Sequence, residues 1–193
     1  PFHITDPNEG YPGIDVELAQ ELARGFGLPA EAVQFRLGNV LTLMQLIQNN
    51  EIDLALGGLS STLYRARYVH FSDPYIITTP AALLSRRSVL SESGAVDFPR
   101  QVYRSLRDLR QLPRLRLGVL ARTANEEILR EDGSFAKHEI FPYENREALL
   151  EAFNDGVVDV LIADGVYIEA LVRKFRGRIL SRAIPLTERY REE

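Results

Sequence analysis

An arginine set one turn behind a run of small and hydroxylated residues is a device for holding an anion. The chain has one, where Gly57-Gly58-Leu59-Ser60-Ser61-Thr62 leads into Arg65. The two glycines carry no Cβ, so the backbone there can approach a bound group closely. Ser60, Ser61 and Thr62 bring hydroxyls that can cap a short basic helix, and its free N–H groups and the Arg65 guanidinium make a cradle suited to a carboxylate. The plainer reading is that Thr62 is an ordinary cap and Arg65 a solvated charge. Farther along, Thr123 and Glu126 have the T-x-x-E spacing of a capping box, so a second helix start points out of a strand's end. Asp164 closes an apolar strand, a position where an acid is ordinarily a turn or a cap. Taken together, a cation with hydroxyls and a separate acid are the charge complement of a free amino acid, whose carboxylate needs donors and whose ammonium needs an acceptor.

Strand ends must carry these groups. Residues 4–13 are dense in turn formers and read as a loop. Over 14–26, Val16, Ala19, Leu22, Ala23 and Phe26 recur at helical spacing, which predicts a helix with that stripe in the core. Residues 33–37 alternate as a strand, 41–50 repeat as a helix and 53–56 form a buried apolar strand, the pattern of a right-handed parallel crossover. Residues 76–84 are strand-like, with Pro80 implying an edge strand or a bulge. From 85 to 104 no period survives, which marks a crossing and a surface insertion. A short helix is expected in 105–112, then a strand in 114–120 whose alternating arginines imply one exposed face, a strand in 138–143, a helix in 147–154 and a strand ending at Asp164. Laying Asp53 over Asp159 superposes LTLMQLIQNNEIDLALGGL on EALLEAFNDGVVDVLIADG, so one helix-then-strand unit occurs twice. Gly58 then falls opposite Asp164, each just past the carboxyl end of a strand, where open α/β sheets place ligands.

The run GGLSSTLYRARYVHFSDPY resembles the signature of the family 3 extracellular solute-binding proteins, polar amino-acid receptors related to the ligand-binding core of ionotropic glutamate receptors. Gly58, Ser60, Thr62 and Arg65, then Phe71-Ser72-Asp73-Pro74-Tyr75, carry the likeness. Leu63 and Tyr64 depart from it, because the family tends to have Pro and an acid there. GIDVELAQELARGFGL resembles the family's first helix. The resemblance implies a two-lobed α/β fold of the type II periplasmic-binding-protein kind with a hinge near 84–88. Lobe 1 would span 1–84 with a return beginning at 183–193, and lobe 2 would span 85–182. A strand and an aromatic residue precede such a Pro-Phe start in the family, so the chain is expected to be cut at both ends.

By the same resemblance, Ser60, Arg65 and the Thr123 backbone would hold a ligand carboxylate, Asp164 and the Gly58 carbonyl its ammonium, and Thr62 and Arg122 would complete the set. Arg122 stands where the family usually has glycine. Turned outward it is a solvated charge beside Glu126; turned inward it favours an acidic amino acid. Tyr11 and Tyr75 are candidates for stacking on a ligand, Asp73 reads as a structural turn, and Val40 lies near a usual aromatic wall. The implied function is capture of an L-amino acid, possibly acidic, for a membrane permease of an ABC transporter, by a monomer in the periplasm or outside the cytoplasm after removal of a signal peptide. The alternatives are a sensor domain of a larger receptor and a dehydratase of the same fold.

Composition narrows the rest. Among 193 residues, 45% are apolar, so the chain can bury a core. With 27 acids interspersed among 23 bases, the net charge of −4 argues against a nucleic-acid surface. No stretch approaches the ~18 to 20 apolar residues of a membrane helix. The zero cysteine count excludes disulfides and thiol catalysis. His3, His70 and His138 lack metal-ligand spacing and read as surface or loop histidines, so no metal or cofactor is expected. No Ser/His/Asp set or phosphate-binding loop appears.

Overall fold

The computed structural model describes residues 13–90 and 105–187. The chain forms two compact units, Pro1–Ile77 and Thr78–Glu193. In the first, α1 (Ile14–Gly25) and α2 (Val40–Gln48) are the helices the periodicity predicts. Each stops in the same way. The Gly27 N–H bonds to the Arg24 carbonyl and the Leu28 N–H to the Ala23 carbonyl, with Gly27 at φ 78°. Asn50 and Glu51 repeat this after α2, with Asn50 at φ 57°. A left-handed residue thus turns the chain and satisfies carbonyls that have run out of helical partners.

The expected strands at 33–37 and 53–56 do not form; both segments lack strand pairing. The stripe of α1 consequently has no sheet to bury against in the described part of its unit. Only Ala23 of the five apolar residues is buried, and Phe26 is 81% exposed.

The second unit holds a five-stranded sheet. Its elements are β1 (Pro80–Ser85), α3 (Arg86–Leu90), β2 (Arg116–Leu120), α4 (Ala124–Glu131), β3 (Glu139–Tyr143), α5 (Arg146–Asn154), β4 (Val160–Asp164), α6 (Gly165–Lys174), α7 (Arg176–Arg182) and β5 (Ala183–Leu186). Strand order is β3-β2-β4-β1-β5. Both β3 and β4 run parallel to β2, while β1 is antiparallel to its neighbours β4 and β5. Residues 80–84 fall in the second unit, paired with β4 and β5, and 183–186 pair with β1 in the same sheet. β1 is no edge strand either. Pro80 is tolerated because it is the first residue of the strand, opposite Asp164 and short of the β5 pairing. The irregular stretch of 91–104 lies outside the described residues, and 105–112 is a 3-10 turn, Leu106–Gln111, closed by a Ser105/Asp108 capping box.

Both faces of the sheet are covered. Ala82, Leu84, Leu117, Val119 and Ile162 pack with Leu129 of α4, Leu109 and Phe135 on one side. Ala81, Leu83, Leu161 and Ala163 pack with Leu149 of α5 and Ile168 of α6 on the other. The exposed face expected for 114–120 is absent for that reason. A Cβ on Gly118 would come within 2.7 Å of the Leu149 side chain, so glycine is what allows α5 to lie this close. The internal repeat holds at the helix ends. Asn39 caps α2 through the Thr42 N–H and Asn145 caps α5 through the Ala148 N–H, while Gly156, at φ 74°, stops α5 where Asn50 stops α2.

Asp159 ties the sheet together at its lower edge. Its carboxylate accepts from the Arg116 backbone N–H (2.9 Å), from Arg116 Nε (3.0 Å) and Nη2 (2.9 Å), and from the Ser88 hydroxyl (2.7 Å). Burial opposes its charge, but the Arg116 and Ser88 hydrogen bonds outweigh it, and the carboxyl titrates below its ordinary 3.8. His138 is buried, not a surface residue, and its Nδ1 accepts the Leu115 N–H at 3.2 Å. Burial, with the Lys137 charge, holds it below its ordinary 6.5. Both folded pKa values are depressed, so the unfolded chain binds protons first and stability is lost toward acid. Urea midpoints are expected to be highest above the ordinary histidine value of 6.5. They should fall as His138 is forced to charge and fall again below 3.8 as Asp159 is protonated. His138→Gln should flatten the first limb, and Asp159→Asn should flatten the second while lowering stability overall.

Candidate functional site

In the second unit the site residues gather where the chain leaves the carboxyl ends of β2 and β4. β2 hands over to α4 on one face of the sheet and β4 to α6 on the other, which makes the gap between these strand ends a switch point of the kind where open sheets bind ligands. Thr123 caps α4; its Oγ1 accepts the Glu126 N–H at 3.4 Å and donates to the Leu120 carbonyl at 2.7 Å. The expected capping box is only half made. Glu126 reaches back past Thr123 and accepts the Arg122 N–H at 2.6 Å, and its other oxygen takes Arg130 Nε at 2.9 Å. First-turn N–H groups of α4, which no intrahelical carbonyl can take, point out of the strand's end.

Arg122 occupies the left-handed region at φ 59°, a conformation costly to a residue with a Cβ. Its guanidinium pairs with Glu144, on the turn after β3. Neither orientation considered from the sequence had this partner. Asp164 precedes α6 without capping it. Its Oδ1 accepts from Asn125 Nδ2 at 3.2 Å, and Asn125 is 9% exposed. Thr123, Asn125 and Asp164 thus form one cluster with Arg122 at its margin. Nearby, Arg146 lies over the Tyr167 ring at 5.1 Å, and burial pushes the Tyr167 hydroxyl pKa up.

In the first unit Gly57 and Gly58 have φ of 140° and 63°, a backbone that glycine adopts without strain. The Gly58 N–H donates to the Tyr75 hydroxyl at 3.2 Å, which in turn donates to buried Asp15 at 2.7 Å. Burial and the Asp15 hydrogen bond raise the Tyr75 pKa. Tyr75 therefore fixes the glycine turn through its hydroxyl. Thr62 Oγ1 accepts the Arg65 N–H at 3.3 Å, as a cap should, but the helix it opens is a single 3-10 turn, Arg65–Arg67. Arg65 is not a solvated charge: it is 4% exposed, and its Nη1 donates to the Ser60 carbonyl at 3.0 Å. Ser60 itself is exposed, as is Asp73; Tyr11 lies outside the described residues.

Each unit thus carries one kind of charge near a hydroxyl and exposed backbone donors or acceptors, Arg65 in the first and Asp164 in the second. Sequence reasoning missed Asn125. A signal was present, because Asn125 lies one turn before buried Leu129 and so places a polar side chain on the apolar stripe of α4. Among the described residues no group of three or more His, Asp or Glu could hold a metal, and no helix is long and apolar enough to cross a membrane.

The fold is that of the two-lobed periplasmic binding proteins. It matches an ancestral arginine-binding protein bound to arginine with a TM-score of 0.74 at 22% identity, covering 97% of this chain and 74% of that one. It matches a putative ABC-transporter binding component from Wolinella succinogenes, complexed with lysine, with a TM-score of 0.75 at 19% identity, covering 96% and 71%. Residues 1–177 match the bacterial extracellular solute-binding proteins, family 3, and the chain belongs to that family. Two characterised relatives are longer. Cyclohexadienyl dehydratase of Pseudomonas aeruginosa is 33% identical over 101 residues, 51% of this chain and 37% of its own. The arginine-binding extracellular protein ArtP of Bacillus subtilis is 26% identical over 176 residues, 86% of this chain and 60% of its own.

The backbone of Arg122 supplies a direct test of this geometry. At an ordinary position alanine is at least as stable as glycine, whereas in the left-handed region the order reverses by about 1 kcal/mol. Both Arg122→Gly and Arg122→Ala lose the exposed pair with Glu144, worth about 0 to 1 kcal/mol. Urea denaturation is expected to find Arg122→Gly the more stable of the two; the opposite order would mean that Arg122 is not left-handed in solution.

Proposed function

We propose that the protein captures a small L-amino acid as a zwitterion and hands it to the membrane permease of an ABC-type uptake system, acting outside the cytoplasm as a monomer. The observation that carries this reading is Asp164. It stands at the carboxyl end of a central parallel strand, beside outward-pointing N–H groups, and is held by an uncharged amide. An α-ammonium is the natural partner for such a carboxylate. Arg65, with Ser60, Thr62 and Gly58 around it, is the corresponding partner for the ligand's carboxylate. Membership in the solute-binding family supports the reading, as do relatives described as arginine-binding.

A second reading, a dehydratase acting on a cyclohexadienyl acid, is favoured by the identity of 33% over 101 residues to such an enzyme. Catalysis needs a protonatable group set against the substrate. Two of the candidate acids have other engagements: Glu126 accepts the Arg122 N–H, and Glu144 pairs with the Arg122 guanidinium. That makes binding the better-supported function. Prephenate incubated with the protein should stay unchanged while calorimetry registers an amino acid.

Calorimetry with a panel of L-amino acids tests the proposal directly. Arg65→Ala is expected to weaken binding by ~2 to 5 kcal/mol, about 30-fold or more, because the ligand carboxylate loses its charged partner. Melting curves of the same variant separate this from loss of the buried Arg65–Ser60 contact, and unchanged affinity would remove Arg65 from the site. For selectivity, the Glu144 pair holds the Arg122 charge in check. Glu144→Gln should release it and move preference toward glutamate over arginine, more so at low salt. An unmoved ratio would show that Arg122 takes no part in choosing the ligand.

A further inference from the structure

β4 has an acid at each end, and the two are treated oppositely. Asp159, just before the strand, is neutralised by a two-point contact with the Arg116 guanidinium and further held by Ser88. Asp164, at the carboxyl end, pairs with no lysine or arginine among the described residues. Among the described residues its hydrogen-bond partner is Asn125, at 3.2 Å. A carboxylate only accepts, so Asn125 must present its NH2 group to it. One amide hydrogen bond to Oδ1 fixes the carboxylate's rotation and leaves its full charge and its second oxygen to something else.

We infer that Asn125 is the positioning residue for ammonium recognition: it aims Asp164 at the ligand's α-amino group without cancelling the charge that attracts it. The inference rests on the amino-acid-binding reading and adds to it how the second unit distinguishes an amino acid from the corresponding acid without the amino group. A lysine or arginine in place of Asn125 would satisfy Asp164 internally, as Arg116 satisfies Asp159, and would abolish that distinction. An apolar residue would leave the carboxylate free to rotate away. Asn125 can do this only because α4 starts at β2, whose neighbour is β4. The parallel register sets Val119 opposite Ile162 and so brings the first turn of α4 level with Asp164.

The test uses ligand pairs that differ only at the α-amino group, L-arginine with 5-guanidinopentanoate and L-glutamate with glutarate, titrated by calorimetry into the full chain. Wild type should bind the amino acid of at least one pair more tightly than its deaminated partner. Asn125→Leu, close in shape but without a donor, should weaken the amino acid about tenfold, the scale of one hydrogen bond to a charged group, while the deaminated partner moves less than about twofold. Asn125→Ala, measured in the same way, covers the case in which leucine prevents folding. A purely structural role would weaken both members of a pair alike, and that result, or no change in either, overturns the inference while leaving amino-acid binding intact. Wild type that binds no amino acid of the panel overturns the underlying reading, and this inference with it.

Discussion

The contact on which the second unit depends is Asp159 with Arg116. Besides the side-chain pair, the Asp159 N–H bonds to the Arg116 carbonyl at 2.8 Å and the Ser85 N–H bonds to the Asp159 carbonyl at 2.9 Å. Three strands are thereby aligned at one rung before their regular pairing begins. A slip of one residue would turn every side chain of β4 to the opposite face, and with both faces buried that cost is prohibitive. Four rungs farther on, the same alignment delivers Leu120 and Ala163 side by side, so the chain leaves the sheet with Thr123, Asn125 and Asp164 in one place. The site geometry is therefore a consequence of a structural salt bridge at the other end of the strands. Breaking it would disturb that arrangement without touching Thr123, Asn125 or Asp164.

What could be read from the sequence was local. Helical spacing located α1, α2 and α5, which end at left-handed residues such as Gly27 and Gly156, because capping depends on a few neighbouring residues. The strand ends carrying Thr123 and Asp164 were legible for the same reason. Strand pairing was not. Residues 33–37 and 53–56 have the composition of strands yet find no ladder among the described residues. The apolar run at 76–84 was read with the segment before it, although its hydrogen bonds go to β4 and β5, which follow much later in the chain. Asn125 was overlooked because its importance comes from tertiary placement. In ANEEILRE it is one polar residue among several, and only the pose of α4 against β4 brings it to Asp164.

The repeat shows how one local design serves different ends. Asn39 and Asn145 cap equivalent helices, and Asn50 and Gly156 stop them, so each unit delivers an aspartate at the same point. Asp53 is exposed, whereas Asp159 is held by Arg116 and Ser88. The difference lies in what surrounds the two positions. Asp159 has paired strands on which to act, and Asp53 has none among the described residues. At the far end of the repeat, Gly58 and Asp164 have parted chemically, one giving backbone and the other charge.

Arg122 illustrates how a residue with a Cβ can be held in a turn that glycine would make without strain. In the left-handed region a Cβ costs roughly 1 to 2 kcal/mol, which glycine would not incur. Here two acids work against that cost. Glu126 takes the Arg122 N–H, held in place for it by Arg130, and Glu144 takes the guanidinium. The carboxylate on the N–H is the more consequential of the two, being half-buried and short at 2.6 Å, whereas the guanidinium pair is exposed and screened. Glu126 is therefore both the brace of an unfavourable turn and a fixed negative charge at the start of α4. The N–H it occupies is no longer open to a ligand. A carboxylate approaching this helix must use the donors farther along, beginning at Thr123, and that restriction places it one residue closer to Asn125 and Asp164.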